Sequence, residues 1–522
     1  MRHLLERLGG YLPAALGLLL PIVFLPVASD SYILPRASIV IACACLGAGI
    51  ALLIPGTPRL GALRMPLIAA AGAAVLAFLF SVSQPLSLAG SYTRYESLPM
   101  RLSYLGLLAT TFWLLPTQRQ RDWVVAAFVF GTSVACLKAL GQWYFHAPFR
   151  PDGDLGNANL LAALIVMGIP LAVDRARRGT YFVGAWAAGV VLMVAGLLVT
   201  TSRSGDLGVI AGCLALLAFA VPRRLGRAVG IASGAAVALV LAVMLASPLR
   251  VLNNDPPELR LHLWSDGARM VAARPITGWG EDSTGLAFGH FLSQDYATYV
   301  TFDRIHSGPL DIAATQGVLG LVALAWVLVV LFRGVWKGRS EPGVAGLSAA
   351  LAGYSVWVLF NFDWAPATGA FWLLAGTLWS ACSPPYAVGR SPERRVGSRV
   401  WQPALATVLV VAATVFAVFP ILADTWYLRG RADLSVQVDP LQAQYHWSLG
   451  EGLIAKREQA RGVAELRRAA DLGETEPSLY VELGDRELEI GDRDAARRAY
   501  QRALQIDPYY SPAAQRLAAL NG

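Results

Sequence analysis

The sequence predicts an all-α, polytopic helical membrane protein with about twelve spans plus one additional span and a C-terminal tetratricopeptide-like helical repeat. The 522 residues are 55% hydrophobic and only 15% charged, whereas a soluble globular chain carries about 25% charge. Apolar runs such as 39–54 and 183–199 recur along the chain. Several approach the roughly 20 residues that cross a bilayer. A sequence period near the C-terminus predicts the repeat.

Thirteen apolar segments account for the predicted spans. They cover residues 10–28, 37–55, 65–82, 101–116, 122–143, 157–173, 180–200, 206–221, 228–247, 308–333, 343–361, 365–382 and 401–421. The first segment follows Arg2 and Arg7, as in a signal peptide, but no convincing small-residue cleavage site follows it. We therefore interpret it as an uncleaved first span.

The loops between these segments alternate in charge. The basic set contains the N-terminus, Arg59, Arg64, Arg119, Arg121, Arg175, Arg177, Arg178, Arg223, Arg224, Arg227, Arg333, Lys337, Arg339, Arg390, Arg394, Arg395 and Arg399. The other set carries few cations for its length and covers 29–36, 83–100, 144–156, 201–205, 248–307 and 362–364. Positive loops stay cytoplasmic, so the N-terminus is expected inside and the second set outside. The excess of cations in cytoplasmic loops accounts for the net charge of +8. A nucleic acid partner is therefore not expected.

Four regions follow from this pattern. They are a membrane core at 1–382 with a large outward loop at 248–307, a basic cytoplasmic linker at 383–400, an additional span at 401–421 and repeats at 424–522 on the outer face. In the last region Gly450 and Gly484 are 34 residues apart (484 − 450), and Pro440 and Pro508 are 68 apart (508 − 440). This is the tetratricopeptide period. Such repeats either brace neighbouring structure or bind a protein partner.

Neither a metal nor a cofactor is expected. The five cysteines lie in or beside apolar segments without ligand-like spacing. The outward loop 248–307 contains no HExxH or DxD pattern, so neither a zinc site nor a sugar-nucleotide site is indicated.

Three outward side chains are the main site candidates. Arg203 lies in the polar turn TTSRSGDLG, Arg260 lies four residues before Trp264, and His306 precedes the span that starts at 308. Structural roles are open for each of them, as a snorkelling anchor, a loop arginine or a capping histidine. The functional alternative is an anion contact for the guanidinium groups and a base for the imidazole.

Four segments in this order resemble the O-antigen ligase/polymerase family. They are GNANLLAALIVMGIPL, TSRSG, RLHLWSDGARMVAARPITGWG and FDRIHSGPLDIAATQGVLGLVALAWVL. The resemblance covers about residues 10–382, and a subset of the family carries an extra span followed by tetratricopeptide repeats. The departure is Ser307, where the family usually has Asn.

The resemblance implies a glycosyltransferase on the outer face of the bacterial inner membrane. The donor is a polyprenyl-diphosphate-linked glycan, and the acceptor is a glycan, a lipid or a protein. Carried over by motif, Arg203 and Arg260 hold the diphosphate, and His306 is the catalytic base or a polar orienter. The supporting candidates are Arg94, Arg274, Asp303, Arg304, Ser307 and Asp311.

Several functions remain open at this point. Three of these functions differ only in the acceptor: a ligase onto lipid A-core, a polymerase of repeat units and an O-linked protein oligosaccharyltransferase. Loops select the acceptor, and their sequences contain no recognisable acceptor code. A transporter or flippase of lipid-linked glycan would favour charges within spans and internal symmetry. Symmetry is not evident, and Lys138 is the only clear charge inside a span. A scaffold acting through the repeats leaves the polar loop 248–307 unexplained.

The charge alternation makes a topology prediction. A reporter fused after Asn521 should be active outside the cytoplasm, and one fused at Arg394 should be active inside, because the basic linker stays cytoplasmic. Paired alkaline phosphatase and green fluorescent protein fusions measure this. A cytoplasmic C-terminus would remove the thirteenth span.

Overall fold

The computed structural model describes residues 2–54, 60–179, 182–220, 257–296, 301–383 and 401–521. This described part is all-α, as predicted. The helices up to residue 428 are α1 (Arg2–Ile22), α2 (Ile33–Leu53), α3 (Arg64–Leu79), α4 (Gln84–Ala89), α5 (Leu98–Leu114), α6 (Gln118–Tyr144), α7 (Ala158–Arg177), α8 (Val183–Thr200), α9 (Arg203–Ala220), α10 (Pro257–Ala273), α11 (Thr284–Ala287), α12 (Gly308–Gly338), α13 (Val344–Trp357), α14 (Ala365–Cys382), α15 (Trp401–Ala413) and α16 (Phe419–Leu428).

The chain is a multi-pass membrane protein. By length and composition, eight helical stretches in the described residues can cross a membrane: Ile33–Leu53, Gly61–Leu79, Gln118–Tyr144, Ala158–Arg177, Val183–Thr200, Arg203–Ala220, Gly308–Gly338 and Trp401–Leu428. Leu8–Ile22 and Val344–Phe360 are shorter apolar helices. The predicted segment 228–247 and nearly all of the linker 383–400 lie outside the described residues. The other twelve predicted segments each overlap a helix, and the count of thirteen spans stays a prediction.

Helix α7 lies at the centre of the bundle. Its residues 160–172 are all buried, as expected for a helix that is apolar on every side. It packs against α8, α9 and α13. Between α9 and α13, a Cβ on Gly353 would lie 2.7 Å from the carbonyl oxygen of Gly208. Small residues therefore let these two backbones approach closely.

The last membrane helix extends beyond its predicted end at residue 421. Helices α15 and α16 are joined by a π-helical turn at Thr414–Val418, and the continuous stretch ends at Leu428. Asp424, near this end, is fully buried. Its carboxylate accepts hydrogen bonds of 2.8 Å from the Asp30 backbone N–H and from the Tyr92 hydroxyl. The tail therefore starts from a point that is fixed to two loops of the membrane part.

The tail consists of helices packed in pairs. They are α17 (Ala432–Val438), α18 (Ala443–Ala455), α19 (Gln459–Leu472), α20 (Pro477–Glu489), α21 (Arg493–Ile506) and α22 (Ser511–Asn521). A Cβ on Gly450 would lie 2.8 Å from Leu466, and one on Gly484 would lie 2.3 Å from Tyr500. Each glycine thus faces the residue sixteen positions later (466 − 450 and 500 − 484). The pairs α18–α19 and α20–α21 share this close contact, and the assignment as tetratricopeptide repeats stays a prediction.

The tail packs directly on the loops of the membrane part. Leu86 of α4 and Leu286 of α11 are buried in the apolar core of the tail, against residues that include Leu479 and Ile506. A Cβ on Gly289 would lie 1.8 Å from the carbonyl oxygen of Ile506. These contacts support the interpretation of the tail as a brace on the loops.

The close contact at Gly289 can be tested by adding one methyl group. Gly289→Ala should loosen the tail, because the new Cβ has no space against the Ile506 backbone. The expected results are a lower midpoint of thermal unfolding in detergent and faster proteolysis within 424–521. Gly452→Ala is the matched control, since a Cβ there would meet no atom of the described residues within 4 Å and Ala favours the helix. Equal behaviour of the two variants would contradict the docked tail.

Candidate functional site

A break in α12 shapes one side of the candidate site. Gly317 has φ 68° and ψ −169° within this helix. The segment 275–280 lies against the break, where Trp279 N–H donates to the Ala314 carbonyl (2.8 Å) and Val318 N–H donates to the Pro275 carbonyl (2.8 Å). These bonds satisfy backbone groups that the break would otherwise leave unpaired.

Glycine is required on both sides of this contact. A Cβ on Gly278, which has φ 68°, would lie 2.5 Å from the Thr315 carbonyl group, and one on Gly317 would lie 2.2 Å from the Ile276 carbonyl oxygen. The PITGWG sequence, which carries part of the family resemblance, therefore has a structural role here. It allows two backbones to approach closely.

Arg260, His306 and Ser204, the residue that follows Arg203, contact one short segment, 360–362, between α13 and α14. Arg260 donates from Nη1 to the carbonyl oxygen of Phe360 (2.7 Å). Asn361 donates from Nδ2 to the hydroxyl of Ser204 (3.0 Å), which follows Arg203. The ring of His306 packs edge-on against Phe362, with centroids 5.3 Å apart. The structure thus brings together the predicted arginine turn, the predicted loop arginine and the predicted histidine.

His306 is held in an uncommon backbone conformation. Its φ is 59°, in the left-handed region that non-glycine residues adopt rarely. Trp264 donates from Nε1 to its carbonyl oxygen (3.3 Å). On the preceding residue, Ile305 N–H donates to Asp311 Oδ1 (2.8 Å). Ser307 begins α12 as its N-cap, and its carbonyl accepts from Asp311 N–H (2.8 Å). Ser307 and Asp311 therefore fix the backbone that presents the imidazole.

Arg94 and Asp303 form a two-point ion pair beside His306. Arg94 Nε lies 2.5 Å from Asp303 Oδ2, and Arg94 Nη2 lies 3.1 Å from Oδ1. The guanidinium also lies over the rings of Trp364 and Phe362, at 4.5 Å and 5.2 Å from their centroids. Burial alone would raise the pKa of Asp303, but the positive charges of Arg94 and Arg304 hold this pKa below its ordinary value. The Arg94 guanidinium is therefore held by the Asp303 carboxylate and the two aromatic rings.

The remaining two arginine candidates occupy different settings. Arg304 is only 4% exposed and pairs with Asp282. Burial alone would lower the pKa of Arg304, but Asp282 and further carboxylates raise it. Arg274 is exposed and lies over Trp279, with its guanidinium carbon 4.5 Å from the ring centroid. It lies beside Phe80 at the helix break and is not brought to the segment 360–362.

The sequence interpretation missed the turn at 360–364. Asn361 is buried, and Asp363 bonds to Arg101 Nη1 at 2.6 Å. The available signal was a polar pair between aromatic residues, NFDW, in the short stretch between two apolar segments.

Comparison with known families assigns the central part of this arrangement. Residues 188–325 match the O-antigen ligase family model. No curated protein matches the chain. The matched segment contains Arg203, Arg260 and His306, whereas Arg94 and the turn at 360–364 lie outside it. Over this segment the chain is similar to the O-antigen ligase family, whose members transfer glycans from lipid-linked substrates.

The Arg94–Asp303 pair, which joins the loop before α5 to the matched segment 188–325, makes a stability prediction. In a double-mutant cycle with Arg94→Ala and Asp303→Ala, the coupling should be roughly 0.5–3 kcal/mol, as for residues in direct contact. Because the pKa of Asp303 is lowered, the coupling should be present above the ordinary carboxyl pKa. It should be lost as the pH falls through the lowered value.

Unfolding of detergent-solubilised protein in sodium dodecyl sulfate measures this coupling. The matched control is the Arg431–Asp433 pair, whose side chains are 52% and 48% exposed and whose coupling should be close to zero. Equal coupling in both pairs would show that the Arg94–Asp303 contact contributes no more to the free energy of unfolding than an exposed ion pair does.

Proposed function

We propose that the protein is a membrane glycosyltransferase that moves a glycan from a polyprenyl-diphosphate carrier to a hydroxyl of a glycan, lipid or protein acceptor. It acts in cell-surface polysaccharide biosynthesis, as an O-antigen ligase or polymerase does. In this proposal the core 1–382 lies in the bacterial inner membrane with its N-terminus in the cytoplasm. The loop 248–307 and the repeats 424–522 face the outer side.

One observation carries the proposal. Arg203, Arg260 and His306 come from three separate parts of the sequence, and their immediate surroundings meet at Phe360–Phe362. Arg203 is half-buried and is the first residue of α9, where the N–H groups of the first helical turn also favour an anion. Two cations and a histidine at the end of a helical bundle suit a lipid that carries a diphosphate.

The arginines account for donor binding. A guanidinium offers paired N–H donors that match phosphate oxygens, and an arginine cannot lose its charge by deprotonation. At the ends of membrane helices the electrostatic attraction is stronger than in bulk water. Arg203 and Arg260 hold the diphosphate, and during transfer they offset the charge that grows on the leaving group.

His306 accounts for activation of the acceptor. Its neutral imidazole accepts the proton of the acceptor hydroxyl while the oxygen attacks the anomeric carbon of the donor glycan. The new bond joins that carbon to the acceptor oxygen. The bond to the diphosphate breaks, and the electron pair leaves with polyprenyl diphosphate. A single displacement of this kind inverts the anomeric centre.

Substitution of these residues tests the proposal. His306→Ala should lower turnover by about 10²–10⁴-fold, because a general base contributes about this much, and should leave donor binding nearly intact. Arg203→Lys and Arg260→Lys keep the charge but lose the two-point geometry, so they should weaken donor binding and lower transfer. The assay is transfer from a purified polyprenyl-diphosphate glycan in proteoliposomes, with donor binding measured separately.

Arg431→Ala is the control, because Arg431 lies exposed in the tail and has no part in the proposed site. It should transfer at the wild-type rate. Wild-type transfer by both His306→Ala and Arg260→Ala would place the chemistry elsewhere in the chain.

A further inference from the structure

A small cavity lies beside Phe362 and Asp363. It leaves about 10 Å³ for the centre of a water molecule, which is room for about one water. Five carboxyl groups and two guanidinium groups line it. Charged groups buried in so small a space are costly unless they are paired, hydrogen-bonded or neutralised by protonation.

Two of the five carboxylates are paired with the two arginines. Asp282 pairs with Arg304, and Asp363 Oδ2 lies 2.6 Å from Arg101 Nη1. The other three carboxyl groups, those of Glu96, Glu281 and Asp311, are in excess of the two guanidinium charges of the wall. Of these three, Glu281 shares Arg101 with Asp363 in a longer ion pair, with Nε 3.5 Å from Oε1, and Nε makes no hydrogen bond within the described residues.

The three surplus carboxyl groups share one arrangement. Glu96 Oε1 accepts from the Tyr104 hydroxyl (2.6 Å), Glu281 Oε1 accepts from Gln316 Nε2 (2.7 Å), and Asp311 Oδ1 accepts from Ile305 N–H (2.8 Å). The three residues are 3%, 1% and 7% exposed. Their second oxygens have no hydrogen-bond partner among the described residues.

The unpartnered atoms of the wall define what the cavity accepts. Three carboxyl oxygens require donors, whereas Nε of Arg101 and Nε of Arg304, also unpartnered within the described residues, require an acceptor. A water molecule supplies two donors and an acceptor, and a protonated carboxyl supplies one further donor. Metal coordination is not indicated, because no group of three His, Cys, Asp or Glu side chains in the described residues has a suitable arrangement.

We propose that this cavity is a proton-binding site, which holds one water molecule and in which at least one of Glu96, Glu281 and Asp311 is protonated in the folded protein at neutral pH. The bound proton removes repulsion between surplus carboxylates and completes the hydrogen bonds of the cavity. In agreement with this, burial raises the pKa of Glu96 to about 8, although the charge of Arg101 opposes the rise. Burial also raises the pKa of Glu281 above its ordinary value.

The site acts on the proposed catalytic residue through the backbone. Asp311 bonds to Ile305, directly before His306, and Asp363 follows Phe362, which packs on the imidazole. The charged and titratable groups that surround Glu96 come from six elements. They are Arg101 and Tyr104 of α5, Glu281 and Asp282 of the loop before α11, Arg304 before α12, Asp311 of α12, Tyr354 of α13 and Asp363 of the turn before α14. Loss of the proton would set repelling charges against both segments that hold His306.

The pH dependence of stability tests this inference. The pKa of Glu96 is raised in the folded state, so its stabilising contribution is complete below the ordinary carboxyl pKa and is lost as the pH rises through the folded value. The thermal midpoint of the wild-type protein in detergent should fall as the pH rises from about 4.5 to about 8 and should level off above that value. Glu96→Gln supplies donors without titrating, so its midpoint should fall less and should exceed that of the wild type at the alkaline end.

Matched variants separate this site from general effects of pH. Glu341→Gln, at an exposed glutamate between α12 and α13, should keep the wild-type slope. Glu281→Gln and Asp311→Asn retain the accepting oxygen and present an amide to the cavity, so each should also flatten the slope. The inference is wrong if Glu96→Gln, Glu281→Gln and Asp311→Asn all keep the wild-type dependence.

Two measurements on the wild-type protein remain decisive if these variants fail to fold. Infrared spectroscopy should show a protonated carboxyl band at neutral pH that disappears at alkaline pH, and its absence would overturn the inference. Elemental analysis should find no metal bound in a one-to-one ratio, whereas one bound calcium, magnesium or zinc ion per chain would assign the cavity to a cation. Neither measurement uses glycan transfer, so either result is independent of the proposed function.

Discussion

Polar groups at the ends of membrane helices have to find partners, and the turn 360–363 supplies several of them. Its backbone and side chains bond to Arg260, Ser204 and Arg101 and pack on His306. Each contact joins a different helix or loop to the same four residues. An unsatisfied polar group at this depth costs several kcal/mol, so the turn fixes the relative positions of these elements. The proposed arginine clamp and base depend on that arrangement.

A second constraint is the close packing of backbone on backbone. The segment 275–280 fits the break in α12 only because Gly278 and Gly317 have no side chain. The tail then packs on the same group of loops, through Leu286 and the contact between Gly289 and Ile506. The loop that carries the site is therefore held from the membrane side by a broken helix and from the other side by the tail. This construction favours a site with fixed geometry.

Much of this organisation could be predicted from the sequence. Apolar runs located the helices, because a bilayer sets their length, and the family motifs indicated Arg203, Arg260 and His306. The partners of these residues could not be predicted. Arg94 and Asp303 are 209 positions apart, and a short polar turn such as NFDW has no periodicity from which its contacts follow. The buried cavity was also missed, because Glu96, Glu281 and Asp311 lie in three separate segments and only folding brings them together.

In the proposed function, Arg203 and Arg260 bind the diphosphate of a lipid-linked glycan beside His306. The most direct measurement is a cryo-electron microscopy structure of the protein with a non-transferable analogue of a polyprenyl-diphosphate glycan. We expect phosphate density within hydrogen-bond distance of both guanidinium groups, with the anomeric carbon on the side of His306. Phosphate density held instead by Arg274 at the helix break, away from the turn 360–363, would contradict it.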